Sequence, residues 1–121
     1  MHATLTGDDD GALRYFEQAL TVFEEERNQV GIGRTHSGLA YLFTRREQPE
    51  QAVEHALISL QVFLGLQAPS EIREALRLLE RQRRHVGHDA FHELLSLHLD
   101  STSVANVMQA LGPGDTDAES S

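Results

Sequence analysis

Apolar side chains recur along this chain at spacings of three and four, the mark of helices with one buried stripe. Ala12, Phe16, Ala19, Leu20 and Phe23 predict a first helix from Gly11 to about Arg27, with Asp8, Asp9 and Asp10 at its start. Carboxylates there accept orphan N–H groups and favour the positive end of the helix dipole. Asn28 to Gly33 is a break with two glycines. A second helix follows, from about Gly31 or Arg34 to Arg46, packing Leu39, Ala40, Leu42 and Phe43. Gly38 permits a close approach on it. Glu47-Gln48-Pro49 ends it, and Pro49 suits the first position of a third helix that reaches about Leu66. Ala52, Val53, Ala56, Leu57, Leu60 and Phe63 form its stripe.

Ser70 is a candidate N-cap for a fourth helix, Glu71 to His85, on Ile72, Ala75, Leu76 and Leu79. Gly87 breaks the pattern. A fifth helix over His88 to Leu99 turns Phe91, Leu94, Leu95 and Leu99 inward. Ser101 or Thr102 caps a sixth, ending at Leu111 with Gly112 as its C-cap. Nothing alternates with period two for long, so the expected fold is all-α, with about five to six helices. Residues 1–7 are expected to form an N-terminal segment, 8–111 the helical domain, and 112–121 a disordered acidic tail.

A longer pattern overlies these stripes. Ala12, Leu13, Ala19, Leu20, Val22 and Phe23 reappear forty residues on as Ala52, Val53, Ser59, Leu60, Val62 and Phe63. Self-similarity at a fixed period is the signature of stacked repeats. The 121-residue length allows one small domain or a short array. Leu and Ala carry the packing, since aromatic residues are only 6% and there is no Trp.

Gly7 to Phe23 resembles the second half of a tetratricopeptide repeat: Gly7-Asp8 as the turn, then Ala12, Phe16 and Ala19-Leu20. Arg34 to Phe63 resembles a complete repeat, through Leu39-Ala40, Phe43, Ala52, Ala56, Ser59 and Leu60. Glu47 stands where the family usually has a turn glycine, and His36 where a large aromatic is common. The period of forty is similar to the long form in bacterial regulators and signalling proteins. Residues 68–99 fit a third, degenerate pair. The resemblance implies antiparallel helix pairs stacked as an α-solenoid, and a module that binds a protein or peptide as a scaffold, adaptor or regulatory domain. In that family the first helix of each pair lines a concave groove.

The resemblance places Arg34, Ser37, Tyr41, Thr44 and Arg45 on that groove. On the fourth helix Arg73, Arg77, Arg81 and Arg84 recur at four, four and three, on one face. Every basic residue is Arg, ten in all. Guanidinium forks bind carboxylate or phosphate bidentately, so an acidic peptide, a chain terminus or a phosphorylated segment is the expected partner. Glu71, Glu74 and Glu80 share the helix, and pairing with them would make this a solvated face instead. Asp115, Asp117 and Glu119 could also fold against the Arg stripe as an autoinhibitory tail. The rival readings are a ligand-sensing part of a transcriptional regulator, binding a small anionic molecule, and a structural dimerisation module.

The first helix lacks a repeat partner before it. Leu13, Phe16, Leu20 and Phe23 are therefore a candidate self-association face, and the chain is expected to be a homodimer or a piece of a longer array. The alternative is that the N-terminal segment or the sixth helix covers them. A net charge of −9 argues against a nucleic-acid partner. The chain has no Cys, which excludes disulfides, cysteine nucleophiles and thiolate zinc sites. No apolar run is long enough to span a membrane, and no signal pattern opens the chain, so a cytoplasmic protein is expected. His88 and His92, with His85 before them, have metal-binding spacing, but Gly87 interrupts the helix and no third ligand is fixed. Neither this cluster nor Asp8–Asp10 makes a recognised metal motif. No nucleophile elbow and no phosphate loop is present, so neither an enzyme nor a cofactor is expected.

Overall fold

The computed structural model describes residues 2–113, and side chains from Asp10 onward. Six helices follow one another: α1 (His2–Glu25), α2 (Gln29–Arg45), α3 (Pro49–Leu66), α4 (Pro69–Val86), α5 (His88–His98) and α6 (Ser101–Leu111). No strand occurs among the described residues. The fold is all-α, as the stripes require. None of these helices is long and apolar enough to cross a membrane.

The first boundary differs from expectation. α1 begins at His2, so Gly7 and Asp8–Asp10 lie within it, not before it. An internal glycine costs a helix only about 1 kcal/mol, too little to enforce a break. Asp8–Asp10 therefore do not cap the helix, and residues 2–7 are not a separate segment. The tail beyond Pro113 lies outside the described residues, as do its three acids. At other ends the caps shift by a residue or two. Asp100, not Ser101 or Thr102, caps α6, its Oδ1 accepting from the Ser103 N–H at 2.8 Å. That bond holds the Asp100 carboxyl below its usual value. Ala68, not Ser70, precedes α4, with Pro69 at its first position.

The first three junctions share one geometry. Arg27, Glu47 and Gln67 each adopt φ 56°, the left-handed conformation. Each is preceded by a helix whose Phe carbonyl closes the turn. The N–H of Asn28 donates to Phe23, that of Gln48 to Phe43 and that of Ala68 to Phe63, at 2.8, 2.9 and 3.1 Å. Such a six-residue closure satisfies carbonyls that the helix end would otherwise orphan. The next helix then starts two residues beyond the left-handed residue, on Gln29, Pro49 or Pro69. At the fourth junction the geometry changes. Gly87 alone links α4 to α5, at φ 95° and ψ 163°, a region only glycine occupies readily.

Neighbours in sequence pack as neighbours in space, and α2 also touches α4 while α3 touches α5. The main core lies among α3, α4, α5 and α6, on Val53, Leu57, Leu60, Leu78, Leu79, Phe91, Leu95, Val104 and Val107. α2 contributes Ala40 to it. Phe63 reaches α2 through Gly33, where an added Cβ would lie 2.6 Å from the ring. Arg83 is buried on α4 and ties the end of α6, its Nη1 donating to the Gly112 carbonyl at 2.9 Å while it pairs with Glu80.

Candidate functional site

The faces expected to carry function are α1 and the α2–α4 side. On α1, Phe16 and Phe23 are not bare. Each ring seats in a glycine notch of α2, Phe16 over Gly38 and Phe23 over Gly31, where a Cβ would come within 2.6 and 2.5 Å. Leu13 and Leu20 are half-buried as well. The expected self-association face is therefore turned in part against α2, and the exposed large apolar groups of α1 are its neighbours Tyr15 and Val22. The sixth helix does not cover α1; it packs on α4 and α5.

The nine expected groove residues separate into four sets. Arg34, Tyr41, Thr44, Arg77 and Arg81 lie along the line where α2 meets α4. Arg34 approaches Glu71 at 3.7 Å across that line. The Tyr41 hydroxyl donates to Glu74, which also accepts from Arg77 at 2.9 Å. Thr44 Oγ1 accepts from Gln82 Nε2 at 2.8 Å and donates to the Ala40 carbonyl at 2.7 Å. Ser37 turns instead to α3, its hydroxyl 2.6 Å from that of Ser59. Arg73 precedes Glu74 by one residue, so it points about 100° away from the α2 side. Arg84 is likewise on the outer side, paired with Glu80 at 3.3 Å. Arg45 is exposed at the end of α2.

The line between α2 and α4 is thus not a continuous basic groove. Glu71 and Glu74 alternate with the guanidiniums and offset their charge. The pairing expected for a solvated face is realised by Arg77 with Glu74 and Arg84 with Glu80 at helical spacing. A concave feature remains at the C-terminal ends of the two helices. Thr44, Glu47, Arg81, Gln82 and His85 line an open cleft of about 180 Å³. Arg81 meets no acid among the described residues.

Sequence reasoning missed a second polar site, on the α2–α3 seam. His36 Nδ1 lies 2.9 Å from His55 Nδ1, with the two rings stacked at 5.1 Å between centroids. Phe43 stacks on His55 at 5.5 Å and nearly parallel. Burial lowers the pKa of His36 to about 4, helped by His55 and opposed by Glu54. Burial lowers that of His55 too, again against Glu54. The signal was available in part: the two histidines flank the Arg46–Gln48 turn on antiparallel helices, where residues at similar distances from the turn meet. Among the described residues no group of three His, Asp or Glu side chains is placed to hold a metal. His85, His88 and His92 are all exposed.

Comparison of the chain with protein families, with characterised proteins and with solved structures finds no match.

Proposed function

We propose that this protein is a helical interaction module, tetratricopeptide-like in its repeat pattern, that binds an acidic peptide or chain terminus at the α2–α4 line. The observation that supports this reading is the cleft beside Thr44 and Gln82. It offers a guanidinium on Arg81, an imidazole on His85 and an amide on Gln82 within one small concavity. Tyr41 adds an exposed aromatic further along the same line, of the kind that anchors peptides. Glu47, Glu71 and Glu74 select against ligands with charge along their whole length. The preferred ligand is one terminal or isolated carboxylate or phosphate, with an apolar body beside Tyr41.

An amide NMR titration with a short peptide ending in a free carboxylate tests this. Shifts gathered at Tyr41, Thr44, Arg81 and Gln82, abolished by Arg81→Ala, are expected. Shifts scattered over other helices, or none at millimolar peptide, would overturn the reading. Equal response to citrate alone would favour the small-anion sensor instead.

A further inference from the structure

The histidine pair, His36 buried and His55 half-buried, joins the two helices that share the broadest contact, α2 and α3. Its 2.9 Å separation is a hydrogen-bond distance, which requires one ring to donate through Nδ1–H and the other to accept. Both rings are neutral in that state. One added proton places a cation in a site where His36 is only 7% exposed. A second proton sets two N–H groups and two like charges against each other. Phe43 closes the outer face of His55 and offers no hydrogen bond to either ring. Glu54, on α3, is the charged group that acts on both rings and favours protonation; the effect of burial exceeds it. Among the described residues, α1 and α4 bring no charged group to the pair.

The consequences of opening this seam fall on one part of the molecule. From Asp10 onward α1 has no fully buried residue, and its contacts run to α2. α2 in turn lends only Ala40 to the main core, which the other helices complete. The α1–α2 unit is held by the buried α2 side chains Leu39, Ala40 and Leu42, by Phe63 over Gly33, and by three polar links: the histidine pair, the Ser37–Ser59 contact and the Thr44–Gln82 bond.

We propose that His36 and His55 form an acid-sensitive latch, whose protonation releases α1–α2 from α3–α6 while the core of α3–α6 stays packed. The released state exposes the apolar face of α3 that α2 covers, and it dismantles the α2–α4 line.

Hydrogen exchange on the wild-type chain tests the latch, with rates divided by those of an unstructured chain at the same pH. The released rings titrate near the ordinary 6.5, whereas His36 in the closed form titrates near 4. Protection is therefore complete above about pH 6.5 and declines as pH falls toward 4. From pH 7.5 to pH 5.0, His36 alone gives about a 30-fold loss of protection in α1–α2. Core amides of α4 and α5 are expected to keep protection well above that of α1–α2 at both pH values, since they open only when the whole chain unfolds. Equal protection in all six helices at both pH values, or no loss in α1–α2, would overturn the proposal. His36→Phe removes the His36 titration and leaves only that of His55, so the pH dependence in α1–α2 should become clearly shallower. Should that variant fail to fold, the His36 ring titration in the wild-type protein decides: a midpoint near 4 with α1–α2 shifting in step supports the latch, and a midpoint near 6.5 rules it out.

Discussion

Junctions at Arg27, Glu47 and Gln67 differ from the one at Gly87, although all four have positive φ and stand twenty residues apart. The first three use the same left-handed residue and the same carbonyl closure, and ordinary side chains tolerate that conformation at modest cost. The fourth joins two helices through a single residue in a conformation reserved for glycine. Beyond it the helices shorten to 11 residues each, and each gives two buried apolar side chains to the core, Phe91 and Leu95 from α5, Val104 and Val107 from α6. The regular part of the chain, α1–α4, is thus built by repeating one corner. The α5–α6 part is built by seating those four side chains on the α3–α4 core, and Arg83 ties its end down. A repeat explains where the helices of the first part begin, but not how the second part closes.

The largest test of this contrast is Phe91→Ala, in the α5–α6 part. Phe91 is wholly buried, and the change should cost about 3–5 kcal/mol in urea unfolding. Phe16→Ala, in a half-open glycine notch, should cost clearly less; equal losses would erase the distinction between the two parts. Next comes Gly87→Ala, expected to destabilise by about 1–3 kcal/mol because alanine resists that backbone conformation. Open space around its Cβ leaves no steric clash to share the blame. Acidification from pH 7.5 to 5.0 should remove about 2 kcal/mol through His36, whose folded pKa is lowered to about 4. Stability from this group is present above about pH 6.5 and falls with pH, so a thermal midpoint that holds between those values would contradict it.

Smaller effects sharpen the comparison within the regular part. Gly33→Ala should cost about 1–2 kcal/mol, since the new Cβ meets the ring of Phe63, which is fully buried and cannot yield. Gly38→Ala faces Phe16 at a similar distance, but that ring is half-exposed and can swing away. Chemical denaturation should find the second change close to neutral, because helix propensity favours alanine. Smallest of all, Glu47→Gly should stabilise by about 0.5 kcal/mol by relieving the left-handed residue. A loss at Glu47 would mean that its side chain contributes more than its backbone conformation costs.

Much of this was readable from the chain. The stripes of Ala52, Val53, Leu60 and Phe63 located α3, and Phe91, Leu94 and Leu95 located α5, because helical periodicity is a local property. The twenty-residue corner was also present, in Phe23, Phe43 and Phe63 and in Pro49 and Pro69. Arg27, Glu47 and Gln67 concealed it, since none is the glycine that usually marks such a corner. The candidate site was less legible. Spacing put Arg73, Arg77, Arg81 and Arg84 on one broad face, but it could not say which edge of that face meets α2. A rotation of one residue carries Arg73 away from the line and brings Glu74 onto it.

By itself the sequence determined the helices, their order and most of their ends, because stripes, prolines and glycines act within a few residues. Only the tertiary structure decided that Phe16 and Phe23 lie in notches of α2, that Arg83 is buried as a tie, and that Glu71 and Glu74 interrupt the basic face. It also brought His36 and His55 together. Each of these depends on how one helix is rotated against another, and that rotation is set by side chains packing across a seam, far apart in the chain.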